Sequence, residues 1–209
     1  MTGAPFAAAV LAGGRSRRMG TDKALVVLEG RTMVERVVER ARLAGADPVA
    51  VVGHRHPELL PPGVSSLHIP DEHPGAGPVG GLLTALSWTP QEVVLVVACD
   101  LPLLDPFDLA RLTAAVRPGR PAAVLVGPRR REPLVGAWSR AIAGDVERAF
   151  ESGVSAVHVV LDGLGEAVAE VPVSDTATLR NVNRPADIPK ALPTTSGTAS
   201  PDRGMGGLG

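Results

Sequence analysis

Apolar runs alternate with amphipathic stretches along most of this chain, and the alternation sets out its elements. "FAAAVLA" (6–12) has no polar position and reads as a buried strand. "TMVERVVERARLAGA" (32–46) has helical spacing instead. Val34, Val37, Val38 and Ala41 fall on one face, Thr32 and Glu35 match a capping box, and Gly45 closes the helix. Further strands are predicted at 48–53, around 67–69, at 92–100, 121–127, 133–138 and 166–173. Helices are predicted at 77–88, from Pro106 to about Val116 behind an Asp105 cap, from Ser139 to about Glu151, and near 155–162. Continuous apolar strands separated by helices imply a mainly parallel sheet covered on both faces. The expected domain is 1–191. The tail from 192, "PTTSGTASPDRGMGGLG", is expected to be disordered.

Composition narrows the class. The 209 residues are 44% apolar but only 2% aromatic, so a core of Val, Leu and Ala is expected. A net charge of −1 argues against a broad basic surface for nucleic acid. The apolar N-terminal run is too short to span a membrane. The single cysteine, Cys99, permits no disulfide framework and suggests the cytoplasm. Of the 21 basic residues two are lysines, so Lys23 stands out as a compact ammonium in an arginine-using chain.

The chemistry concentrates in "VLAGGRSRRMGTDKAL" (10–25). A strand runs into glycines whose backbone N–H groups can approach an anion, and cations follow closely. The formula is neither a P-loop nor G-x-G-x-x-G. Gly13, Gly14, Arg15, Arg18 and Lys23 aimed at one place suit a triphosphate. Asp100 ends the apolar strand "VVLVVACD", at the edge where open α/β sheets bind ligands. A carboxylate beside a triphosphate calls for a cation, and Mg2+ suits one or two carboxylates plus phosphate oxygens. Capping of the turn before Pro102 is the competing reading of Asp100. Cys99 reads as a small buried residue, and His54 and His56 as loop residues with no third ligand at zinc spacing.

"LAGGRSRRMGTDKAL" resembles the signature of nucleotidyltransferases, and within them the molybdenum cofactor guanylyltransferase family. "GPVGGL" (77–82), "ACDLPLL" (98–104), "REPLVGAW" (131–138) and "NVNRPADI" (181–188) resemble its later motifs in order, over roughly residues 8 to 190. The resemblance implies a Rossmann-like three-layer α/β sandwich of the nucleotidyltransferase type. It implies transfer of GMP from GTP to the terminal phosphate of molybdenum-molybdopterin, with pyrophosphate released. By this resemblance Leu11, Ala12, Gly13, Gly53, Asp71 and Gly77 contact the nucleotide. Lys23 with Arg15 or Arg18 holds the phosphates, Asp100 the metal, and Asn183 is a second metal ligand or a helix cap. The family commonly has Asn where this chain has "VVGHRH". Arg129, Arg130 and Arg131 are either acceptor contacts or a solvated hairpin tip. A molybdoenzyme or its chaperone is the implied recipient. The alternatives are a cytidylyl- or other nucleotidyltransferase on a related phosphorylated acceptor, and a non-catalytic nucleotide-binding regulator.

Overall fold

A computed structural model describes residues 4–13 and 22–180. Seven strands make the main sheet, in the order β5-β4-β1-β6-β8-β7-β9. They are β1 (Phe6–Leu11), β4 (Val49–Val52), β5 (His68–Ile69), β6 (Val93–Ala98), β7 (Ala122–Val126), β8 (Arg131–Ser139) and β9 (Val168–Pro172); β2 (Val27–Leu28) and β3 (Arg31–Thr32) form a separate antiparallel pair. The helices are α1 (Met33–Leu43), α2 (Pro62–Ser65), α3 (Pro78–Trp88), α4 (Pro106–Ala115), α5 (Ala143–Glu151) and α6 (Val157–Leu164). The predicted parallel sheet is present with one exception: β8 runs antiparallel to both β6 and β7.

The period-2 side-chain rule sorts each central strand between two cores. Phe6, Ala8 and Val10 of β1 and Val93, Leu95 and Val97 of β6 pack on the face shared with α1 and α4. Ala9 and Leu11, with Val94 and Val96, pack on the opposite face with α3, α5 and α6. This is the three-layer arrangement expected. The helical stripe Val34, Val37, Val38 and Ala41 is buried, and each large apolar side chain so covered contributes about 1.5–3 kcal/mol. The Thr32–Glu35 capping box forms in full: the Glu35 amide donates to Thr32 Oγ1 (3.3 Å) and the Thr32 amide to Glu35 Oε2 (2.7 Å).

One helix start differs from expectation. Ser139 still belongs to β8, paired with Val93, and its hydroxyl accepts from the Ala141 amide at 3.2 Å. A 3-10 turn therefore precedes α5, which begins at Ala143. Strand β8 also carries a wide irregularity. Leu125 pairs with Glu132 but Val124 pairs with Gly136, so Pro133, Leu134 and Val135 have no counterparts on β7. A proline, which cannot donate to the ladder, suits such a position.

Candidate active site

The chain leaves β1 toward β4 on one side and reaches β6 on the other. The carboxyl ends of these strands therefore flank a point where strand order reverses, the usual crevice for ligands in open α/β sheets. Leu11 is in register with both Val52 and Ala98, which puts Ala12–Gly13, Gly53 and Cys99–Asp100 on one rim. A cleft of about 810 Å³ opens there. Of the residues predicted to bind nucleotide or metal, Leu11, Ala12, Gly13, Lys23, Gly53, Asp71, Gly77 and Asp100 all line it. Gly14, Arg15, Arg18 and Asn183, and the tail from 192, lie outside the described residues.

Lys23 enters the cleft on a short 3-10 turn (Lys23–Leu25). Asp22 caps this turn, its Oδ1 accepting from the Ala24 amide at 3.0 Å. The cap aims the ammonium across the rim, and Lys23 Nζ stands 3.9 Å from Asp100 Oδ2. Their side chains are 27% and 28% exposed, so both remain open to a ligand from the cleft. An ion pair this exposed adds little stability. A cation and a carboxylate brought together at a strand edge point to ligand chemistry instead.

Asp71 is fixed from behind. Its Oδ1 accepts from the His73 amide (2.9 Å) and faces the Thr84 hydroxyl (3.2 Å). Gly53 explains why this chain has no larger residue at the end of β4. Its φ of +75° is left-handed, and a Cβ there would lie 3.1 Å from Asp71 Cβ. Gly13 is equally tight, since its Cβ would lie 3.1 Å from the Gly53 carbonyl oxygen. The glycines let two loops and the Asp71 side chain close into one wall. Gly77 caps α3 with φ +83°, and a Cβ there would meet the Ser155 carbonyl oxygen at 2.8 Å.

Cys99 is part-buried at the floor of the cleft, and desolvation, then the neighbouring Asp100 and Asp22 carboxylates, push its thiol up to about 12. It is protonated at neutral pH, as a small packing residue and not as a nucleophile. The two loop histidines differ in their surroundings. His56 is exposed and pairs with Glu58 (3.1 Å), but His54 is buried, with Nε2 3.0 Å from Asp22 Oδ2. Among the described residues no three His, Cys, Asp or Glu side chains cluster to hold a metal.

A second groove of about 450 Å³ adjoins the cleft and shares Ala98, Asp100 and Leu134 with it. Arg130 and Arg131 line it, but both are already paired: Arg130 with Glu132 (3.2 Å), Arg131 with Glu170 (2.7 Å) and Asp162 (3.2 Å). Sequence reasoning missed Asp22 and Arg55, which also line the main cleft. The cap position of Asp22, just ahead of "KAL", was a readable signal for the former. Arg55 carried none, because only the fold turns the residue after His54 back over the cleft.

Comparison with known proteins agrees with this geometry. The model of the MobA-like NTP transferase domain matches residues 8–168. A molybdenum cofactor guanylyltransferase of Rhizobium meliloti is 34% identical over 209 residues, covering 91% of this chain and 94% of the relative. Molybdopterin-guanine dinucleotide biosynthesis protein A of Archaeoglobus fulgidus superposes with a TM-score of 0.70 at 28% identity, over 86% of this chain and 93% of that one. A nucleotidyl transferase of Methanothermobacter thermautotrophicus shares the fold at TM-score 0.73 and 23% identity, over 88% and 94% of the two chains. With its strand-end cleft, its facing lysine and aspartate and a family model matched over most of its length, the chain belongs to the MobA-like NTP transferase family.

Proposed function

We propose that this protein transfers GMP from GTP to the terminal phosphate of molybdenum-molybdopterin and releases pyrophosphate. The observation that carries the reading is the meeting of Lys23 and Asp100, 3.9 Å apart, at the strand-order reversal in a cleft walled by Gly13, Gly53 and Asp71. An oxygen of the acceptor phosphate attacks the α-phosphorus. The new P–O bond forms in line with the bond from α-phosphorus to the bridging oxygen, which breaks as pyrophosphate leaves. The nucleophile is already anionic, so no general base is needed. The barrier is repulsion between two polyanions, and positioned charge lowers it.

In this reading Lys23 holds the triphosphate, with Arg15 or Arg18 from the sequence just before it. Asp71, fixed by His73 and Thr84, accepts hydrogen bonds from guanine N1–H and N2–H or from ribose hydroxyls through its remaining lone pairs. Gly13 and Gly53 let the base lie close to the backbone. The donor set fits Mg2+. Asp100 offers a hard, part-exposed oxygen, while Asp22 has one oxygen committed to its own cap. Asp100 would hold the ion, with Asn183 as a second ligand. When bound, Mg2+ supplies charge neutralisation at the phosphate oxygens. The product would pass to a molybdoenzyme or its chaperone in the cytoplasm. No helix among the described residues is long and apolar enough to cross a membrane.

The test is pyrophosphate release by the purified protein with Mg2+ and molybdenum-molybdopterin, comparing GTP, CTP, ATP and UTP, with EDTA as control. Release with GTP alone is expected. Release with CTP instead would keep the chemistry and change the nucleotide. Nucleotide binding without any release would refute the transfer reading.

A further inference from the structure

One buried side chain at the rim has no part in the transfer chemistry above. His54 follows Gly53 at the end of β4, and its side chain is 0% exposed. Its Nδ1 accepts the His56 amide hydrogen at 3.2 Å, which places the ring proton on Nε2. That Nε2–H lies 3.0 Å from Asp22 Oδ2, off the line of a full hydrogen bond, and is otherwise a buried donor without an acceptor. The main chain is held as well, since His68 Nε2 donates to the His54 carbonyl oxygen at 3.1 Å. A buried donor costs stability unless it meets an acceptor, and the acceptor nearest to this one is Asp22.

Asp22 is the residue that caps the Lys23 turn through its other oxygen. Two loops distant in sequence are thus joined at one carboxylate. Oδ1 shapes the turn, and Oδ2 rests against an imidazole set into the sheet edge. We propose that His54 is a positioning residue: its Nε2–H holds the Asp22 carboxylate, so that the turn begun by Asp22 presents Lys23 to the triphosphate beside Asp100. This rests on the reading of Lys23 as a phosphate ligand. A purely space-filling ring makes different predictions, because Leu would serve nearly as well as Gln, and the loss would not depend on Lys23.

The test is a double-mutant cycle on the full chain. His54→Leu and His54→Gln are each made in the native background and in Lys23→Ala. GTP affinity is measured by titration and pyrophosphate release by kcat/KM. His54→Leu is expected to weaken both by about tenfold in the native background, the scale on which a displaced positioning contact acts. His54→Gln, which keeps a donor at the Nε2 position, is expected to recover them to within about threefold. In Lys23→Ala neither substitution should cause further loss. Equal losses in both backgrounds, or a Leu variant as good as Gln, would overturn the proposal. If His54→Leu does not fold, His54→Asn takes its place in the cycle: its amide does not reach the Nε2 position, so the same loss relative to His54→Gln is expected, and only in the native Lys23 background. A native protein that binds GTP but releases no pyrophosphate would defeat the transfer reading alone, since the affinity arm still measures the coupling of His54 to Lys23.

Discussion

Gly53→Ala separates two costs that the fold combines at one residue. The first is conformational: a φ of +75° in an L-residue costs roughly 1–2 kcal/mol. For a domain of this size that lowers Tm by roughly 2–8 °C. The second is steric, because the new Cβ lies 3.1 Å from Asp71 Cβ and must push that side chain off its His73 and Thr84 contacts. Losing a hydrogen bond to a charged group costs about 1.5–3 kcal/mol, so GTP should bind roughly ten- to a hundredfold more weakly. Gly119→Ala is the control, with φ +81° and nothing within 4 Å of the new Cβ. It carries the conformational cost alone, so it should lower Tm by less than Gly53→Ala and leave GTP affinity unchanged. Differential scanning calorimetry and a nucleotide titration on both variants decide the matter. Equal GTP affinity in the two variants would refute the Gly53–Asp71 wall as part of the nucleotide site.

Asp100→Ala should abolish pyrophosphate release, and Lys23→Ala should lower kcat by on the order of 100-fold, as loss of a preorganised charge does; near-normal turnover of Asp100→Ala would remove the metal assignment. The Cys99 thiol, raised from 9.0 to about 12, keeps its proton in the folded state after the unfolded chain has lost it. Stability should therefore fall as pH rises from about 9 toward 12, and urea midpoints measured across that range should lose part of the slope in Cys99→Ala. Asp108 is 1% exposed; its Oδ2 accepts from the Ser174 amide at 2.9 Å, and its Oδ1 accepts from Arg111 at 2.9 Å. Asp108→Ala leaves the Ser174 amide without its acceptor, while the part-exposed Arg111 keeps the Pro172 carbonyl, so it should cost about 1–3 kcal/mol in urea unfolding with KM for GTP unchanged.

The fold was legible where burial has a period. The runs at 6–12 and 93–99 are apolar because both faces of β1 and β6 are covered. The direction of β8 was not legible, since an apolar strand carries no mark of parallel or antiparallel pairing. The β2–β3 pair, two residues on each strand, is too short to show a period of two. At the site, Lys23 could be picked out as a charge following glycines and Asp100 as a charge at a strand end, while Asp71 stood out only through the family resemblance. His54 could not, because nothing in "GHRHPE" says which histidine the loop turns inward. Gly53 stood as a departure from a familiar pattern until its φ and the nearness of Asp71 gave it a reason.

The three extra residues of β8 have a consequence for how the cleft can change. Pairing with β7 resumes at Gly136 and continues through Ala137 and Trp138, locked into the sheet between β6 and β7. Beyond the break, Arg131 and Glu132 pair only with β7, and Leu134 leaves the ladder to form a wall shared by both grooves. The break thus works as a mechanical coupling with play in it. A change of length or composition in the 127–132 hairpin can be absorbed at Pro133 and Leu134 before it reaches Val135, which is already paired with Val97 of β6. The outer wall of the cleft can be remodelled for a different second substrate while the strands that carry Asp100 and the glycine wall keep their register.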